Sequence, residues 1–138
     1  MTPVLVDSSF LISLYDTTDF DHGRCIRAYE AIPNPFATCE AVITESLYML
    51  RYVRGAFDAL MASIECGAVE IPFQLAGAAD SVKNIMSKYA DTPCDFADAC
   101  LIAMAGQLNT GDILTLDSDF AHYRWNRNKR FRLLIPLE

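Results

Sequence analysis

A handful of carboxylates stand out by the company they keep. In 92-TPCDFADACLIAMAGQ-107, Asp95 and Asp98 lie three residues apart at the head of a stretch that is otherwise small and apolar, without Lys or Arg. Asp7 closes the apolar run PVLVD. Asp117 closes GDILTLD, with Asp119 two residues further on. Glu45 sits inside CEAVITESLYML, with Ala41 and Val42 before it and Tyr48 and Met49 after it at helical spacing. That spacing sets Glu45 on or beside a core-facing stripe. A carboxylate partly out of water is costly unless it is hydrogen-bonded, paired with a cation or bound to a metal. Acids brought together repel one another, and divalent cations relieve the repulsion. Oxygen donors without Cys or His suit Mg²⁺ or Mn²⁺, and magnesium binds through few carboxylates, several waters and substrate phosphates.

Each acid also has a structural alternative. Asp7 and Asp117 could cap helices that follow their strands, and Asp95 fits a cap at the start of its helix. Glu45 could reach solvent or pair with an Arg. Asp98 could be a satisfied structural acid. The joint pattern carries more weight than any member.

For these acids to act together, the chain must bring them to one place. PVLVD reads as a buried strand and SSFLISLYD as the helix after it. DFDHGRCIRAYEAI is expected as a second helix, stopped by Pro33-Asn34-Pro35. PFATC, AVEIPF, GDILTLD and an edge segment FRLLIPL read as further strands. CEAVITESLYMLRYV, GAFDALMASIECG, LAGAADSVKNIMSKYA and the stretch from Ala97 read as helices. Short apolar strands alternating with helices predict an α/β fold, a parallel sheet with helices on both sides. Sites in such sheets form beyond the carboxyl ends of the strands. Asp7 and Asp117 fall at that edge, and the helix that starts near Asp98 begins there too.

Composition bounds the rest. The 138 residues fit one domain, 1–138. There is no run of apolar residues long enough for a membrane span, and MTPVLVDSSF lacks the features of a signal peptide. Cys25, Cys39, Cys66, Cys94 and Cys100 show no CxxC spacing and read as reduced thiols of a cytoplasmic protein. With His22 and His122 isolated, a zinc site is disfavoured. The net charge of −7 argues against broad nucleic-acid affinity. The positive charge is concentrated, however: HYRWNRNKRFR carries Arg124, Arg127, Lys129, Arg130 and Arg132, with Tyr123, Trp125 and Phe131 between them. Such a segment could hold phosphates and stack bases, or it could be a solvated loop and strand. Phe57, Leu60 and Met61 could form an interface or face the core.

In order and spacing, VDSSFLISLYD, ITESLYML, DFADACLIAMA and ILTLDSDF resemble the PIN-domain ribonucleases, in particular the VapC-type toxins of toxin–antitoxin pairs. The resemblance covers nearly the whole chain. It implies a three-layer α/β/α sandwich around a mainly parallel sheet, and a metal-dependent nuclease acting on RNA, often transfer or ribosomal RNA, using Mg²⁺ or Mn²⁺. The family's four acids fall on Asp7, Glu45, Asp98 and the DSDF segment, where Asp117 is favoured and Asp119 is a supporting or alternative ligand. Ser8, Asp95 and Thr115 would be orienting neighbours. Arg124, Arg127, Lys129 and Arg130 would hold the RNA backbone. Attack by water would leave a 5′-phosphate and a 3′-hydroxyl. The resemblance also implies a small antitoxin partner and a homodimer. The alternative is a catalytically silent module of the same fold that binds RNA or protein. An aspartate-based phosphatase would need a second Asp two residues after Asp7, where Ser9 stands. A receiver domain would need paired acids after the first strand and a Lys near the last strands, and neither is evident.

Overall fold

The computed structural model describes residues 2–33 and 35–137; the expected turn at Pro33-Asn34-Pro35 lies partly outside them, at Asn34. The chain runs β1 (Val4–Val6), α1 (Ser8–Tyr15), α2 (His22–Ala31), β2 (Phe36–Ala37), α3 (Glu40–Met49), α4 (Ala56–Glu65), β3 (Val69–Glu70), α5 (Leu75–Lys88) and α6 (Phe96–Leu108). Then come β4 (Asp112–Leu114), a 3₁₀ turn (Ser118–Ala121), β5 (Arg124–Trp125), β6 (Lys129–Arg130) and β7 (Arg132–Leu133).

One sheet has the order β3-β2-β1-β4-β7, and every neighbouring pair is parallel. Successive strand residues point to opposite faces. Val4, Leu5 and Val6 are nevertheless all buried, as are Ile113 and Leu114. Both faces of the central strands are therefore covered by helices, which is the three-layer α/β/α sandwich expected from their continuous apolar runs. The helix α6 is buried from Ala97 through Ala105. Apolar all round, it is enclosed by the sheet, α5 and α3 rather than amphipathic.

The chain leaves β1 toward β2 and β3 on one side, whereas β4 is followed by β7 on the other. The boundary between β1 and β4 is the topological switch point, where the connections diverge and open a crevice at the carboxyl ends. Leu5 lies opposite Ile113 and Val6 opposite Leu114, and the Asp7 N–H donates to the Leu114 carbonyl at 3.1 Å. This register brings the segments after β1 and after β4 side by side.

Some expectations need correction. The strand predicted to run to Asp117 closes at Leu114. Thr115 Oγ1 accepts the Asp117 N–H at 3.0 Å, so a side chain replaces the ladder partner. The helix predicted through Val53 ends at Met49. The basic segment is more ordered than a loop and strand: β5 and β6 form an antiparallel hairpin, with Trp125 paired to Lys129. Its aromatic residues do not face solvent. Tyr123, Trp125 and Phe131 are buried, and the Phe120 ring meets Tyr123 and Phe131 edge-on at 5.0 and 5.4 Å. Apolar ring area gains more from burial than a handful of flanking charges can oppose, since those charges reach water on their long stems. Of the α4 trio, Leu60 is core, Met61 is half-buried and Phe57 is exposed.

Candidate active site

Asp7 caps α1: its Oδ1 accepts the Ser8 N–H at 2.7 Å. Its Oδ2 accepts the hydroxyls of Ser9 at 3.0 Å and Thr115 at 2.8 Å. Ser9 Oγ in turn accepts the Leu116 N–H at 2.9 Å, so one serine ties the start of α1 to the strand end after β4. The Ser8 hydroxyl donates to Glu45 Oε1 across from α3. Asp7, Ser8, Glu45 and Thr115 thus share one hydrogen-bonded network, and Ser9 belongs to it although it was not among the predicted residues. An Asp-Ser-Ser start to a helix is the signal that could have pointed to it, because a hydroxyl two residues after a cap can reach back to the capping carboxylate.

Asp95 caps α6, its Oδ1 accepting the Asp98 N–H at 2.9 Å. Asp117 caps the 3₁₀ turn, its Oδ1 accepting the Asp119 N–H at 2.9 Å. The cap alternatives for Asp7, Asp95 and Asp117 are therefore real; each cap uses one oxygen, and the second oxygen of Asp7 accepts the Ser9 and Thr115 hydroxyls. Asp98, in the first turn of α6, is buried. Its Oδ2 faces the Tyr123 hydroxyl at 2.9 Å, and that hydroxyl also faces the Pro93 carbonyl. A phenol has one proton, so it cannot donate fully to both acceptors. Tyr123, like Ser9, is absent from the predicted site residues; in a segment left open between base stacking and a solvated loop and strand, it is a buried support for Asp98.

Asp95, Asp98, Asp117 and Asp119 line one open cleft of about 390 Å³, together with Thr92, Pro93 and Cys94. Burial, reinforced by the Asp95, Asp7 and Asp117 charges, pushes the Asp98 carboxyl up to about 7 against the pull of the Tyr123 hydrogen bond. Burial also raises Asp7, although its bonds from Thr115, Ser8 and Ser9 oppose the rise. Asp117 is raised by burial and by its acidic neighbours. The hydrogen bonds reaching these acids come from hydroxyls and backbone N–H groups. Recorded ion pairs, Arg24–Asp21 and Arg132–Asp112, lie elsewhere. Among the described residues no three acids are gathered tightly enough to ligate one ion. The donor chemistry nevertheless fits a hard divalent cation: all oxygen, partly desolvated, mutually repelling and, among the described residues, not paired with a protein cation.

Glu45 lies at the margin of the buried stripe Val42, Ile43 and Ser46. Tyr48 and Met49, expected on its core side, are exposed, because α3 turns that edge outward as it ends. The predicted backbone-holding cations stand apart from the acids. The Arg124 guanidinium folds onto the carbonyls of Ala121, His122 and Tyr123. Lys129 lies 4.9 Å over the Trp125 ring, and Arg127 and Arg130 are exposed on the hairpin. Arg124 and Arg127 line a separate cleft of about 630 Å³ beside α5 and α6.

Comparison with known proteins agrees with this arrangement. A Mycobacterium tuberculosis protein named ribonuclease VapC26 is 26% identical over 117 residues, which cover 83% of this chain and 86% of that protein. The solved M. tuberculosis VapC20, described as a sarcin–ricin loop cleaving toxin, has the same fold, with a TM-score of 0.75 at 21% identity over 86% of this chain and 93% of its own. The PIN domain model matches residues 4–126, a span that runs from β1 through Asp7, Glu45, Asp98 and Asp117 into the hairpin. The chain belongs to the PIN-domain family.

Proposed function

We propose that this chain is a toxin-type endoribonuclease that hydrolyses RNA phosphodiester bonds with Mg²⁺ or Mn²⁺ at the acidic crevice. The observation that carries the reading is Asp98: a buried carboxylate at the mouth of an apolar helix, across from Asp7 and Asp117, with no ion pair to a cation among the described residues. Asp7, Asp98 and Asp117 would share one or two ions between them, directly or through the waters that magnesium keeps, with Asp119 in support. The ion, when bound, supplies Lewis-acid polarisation of the scissile phosphate and neutralises charge at the crevice. Glu45 orients the attacking water and takes its proton; its Oε1 is fixed by Ser8 and its other oxygen is left for that task. Ser8, Asp95 and Thr115 hold the acids in place. Attack by water leaves a 5′-phosphate and a 3′-hydroxyl.

Arg124, Arg127, Lys129 and Arg130 sit where they can meet phosphates without entering the acidic crevice. That separation reconciles a net charge of −7 with a polyanionic substrate. The substrate is a structured RNA, transfer or ribosomal, cut at an unpaired position in the cytoplasm. A small antitoxin covers the acidic groove, and the working form is a homodimer. Among the described residues, no helix is long and apolar enough to cross a membrane.

The test is cleavage of total and transfer RNA in Mg²⁺, Mn²⁺ or EDTA, comparing wild type with Asp98→Asn. Cleavage that requires metal and disappears in a folded Asp98→Asn protein is expected. Equal cleavage by both proteins would make Asp98 a structural acid and sink the reading. Absence of cleavage on every RNA would return the silent-module alternative.

A further inference from the structure

The exit of α3 carries an aromatic and basic cluster that the acidic site does not use. In 48-YMLRYVR-54, Tyr48 is 61% and Tyr52 88% exposed. The Arg51 guanidinium lies 3.9 Å from the Tyr48 ring centre and 4.8 Å from that of Tyr52, and it donates to the Tyr48 carbonyl. Arg51, Arg54 and Phe57 line a neighbouring cleft of about 420 Å³, which also holds Asp58. On the same helix, Glu45 and Tyr48 are three residues apart, hence neighbours on one face about 5–6 Å apart at Cβ.

We infer that this cluster is the base-stacking platform for single-stranded RNA entering the acidic crevice, with Tyr52 and Tyr48 receiving bases and Arg51 and Arg54 receiving phosphates. The inference rests on the nuclease reading above and names how that site would hold its substrate. Three physical points carry it. Exposed tyrosine rings interleaved with arginines match what unpaired nucleic acid needs, flat faces for bases and positive charge for phosphates. Arg51 is already held against two rings, so little further ordering is required when it binds. Tyr48 is one helical turn from Glu45, and Arg51 joins it to Tyr52 just past the end of α3, whereas the aromatic residues of the basic hairpin are buried and offer no face to a base. The hairpin thus contributes charge, and the α3 exit contributes stacking.

The test uses Asp98→Asn as the parent, so that RNA survives, and follows the anisotropy of fluorescein-labelled oligouridylate and oligoadenylate. Tyr52→Ala should weaken binding about tenfold or more, the loss expected of one stacked base, while Tyr52→Phe should bind as the parent does. Arg51→Gln should weaken binding and flatten its salt dependence by about one charge. With Asp98 restored, Tyr52→Ala should raise KM and leave kcat unchanged. The inference is overturned if the parent binds no RNA, or if Tyr52→Ala and Arg51→Gln bind as the parent does. It is equally overturned if these variants change the sedimenting mass with RNA affinity intact, which would make the face a protein interface. Metal-dependent cleavage by wild type alongside unaffected variants would remove this inference alone. Tyr52-dependent binding without any cleavage would keep the platform and remove the nuclease reading.

Discussion

Replacing Tyr123 with Phe removes one hydroxyl and leaves the ring packed against Phe120 and Tyr89. That hydroxyl donates to Asp98 Oδ2 at 2.9 Å and holds the carboxyl lower than burial alone would set it. Burial and the Asp98 charge push the phenol itself far above its ordinary range, so it stays a donor at any working pH. A hydrogen bond to a charged group contributes ~1.5–3 kcal/mol, and about 1.4 kcal/mol corresponds to one pH unit. Loss of a full bond would lift Asp98 by roughly one to two units; the proton is shared with the Pro93 carbonyl and the edge of Asp98 that meets the open cleft is screened by water, so about one unit is the fair figure. With Asp98 at about 7, half the carboxyls are ionised at pH 7. A rise of about one unit leaves roughly a tenth ionised, so metal binding and cleavage at subsaturating Mg²⁺ should fall about fivefold at pH 7 and recover about two units higher. The assay is a pH profile of RNA cleavage at metal well below saturation, for wild type and Tyr123→Phe, with melting curves to show that both are folded. An acid limb that does not move would refute the reasoning. An equal loss at every pH would also refute it, since that would make the hydroxyl an aligning contact and not a tuner of Asp98.

Two further outcomes follow from the same geometry. Asp98 takes up its proton at about 7 in the folded chain and at 3.8 as a free carboxyl, so between these limits the folded state binds more protons. Metal-free stability should therefore fall as pH rises toward 7 and level off above it, and the raised Asp7 and Asp117 act in the same direction. Mg²⁺, which takes the ionised acids, should raise Tm more at pH 8 than at pH 6; a metal-free Tm that climbs from pH 6 to pH 8 would contradict this. Gly111→Ala would place a methyl 2.2 Å from Trp125 Nε1 and 3.0 Å from the Arg130 carbonyl, which that indole N–H now bonds at 3.0 Å. Overpacking of this kind costs ~1–3 kcal/mol, so Tm should drop and the emission of the single tryptophan should shift to the red; unchanged emission would show that the hairpin does not rely on the close approach.

Residues whose environment follows from local pattern were legible before the fold was. Asp7, Asp95, Asp98 and Asp117 all stand where an apolar run meets a turn, and strand-then-helix alternation suffices to put three of them at one edge. The parallel sheet could be read from PVLVD, PFATC, AVEIPF, GDILTLD and FRLLIPL, because its central strands keep apolar runs, although Glu70 and Arg132 on the outer strands are exposed. What stayed hidden depends on contacts between distant segments. Tyr123 reaches Asp98 from 25 residues away, and Ser9 reaches Thr115 from 106. No local window contains either bond. The basic segment stayed open for a related reason: alternation of aromatic and charged residues describes a hairpin with one face on the core as well as it describes a nucleic-acid surface. Only the burial of Tyr123, Trp125 and Phe131 separates the two. At the end of α3 the error ran the other way, since helical spacing set Tyr48 and Met49 beside the core when the helix was already leaving it.

The means by which the acids are held is itself an argument about use. Ser9, Thr115 and Tyr123 each donate a neutral hydroxyl to a buried carboxylate, and Ser8 does the same for Glu45. Such bonds contribute ~1.5–3 kcal/mol when the acceptor is ionised, but a neutral donor leaves the negative charge in place. An arginine in the same position would bind a carboxylate through two charge-assisted bonds and relieve the repulsion that raises Asp7, Asp98 and Asp117. The chain has such an arginine elsewhere: Arg132 grips Asp112 through two bonds, at 2.9 and 2.8 Å, on the exposed side of β7. At the crevice it places hydroxyls instead. A fold selected for stability alone would gain from neutralising those acids, whereas a fold that must admit a cation and a phosphate has to keep the charge uncompensated until they arrive. The crevice keeps its charge unpaired, as the proposed metal site requires, and the elevated proton affinity of Asp98 is the mark that this leaves on the protein.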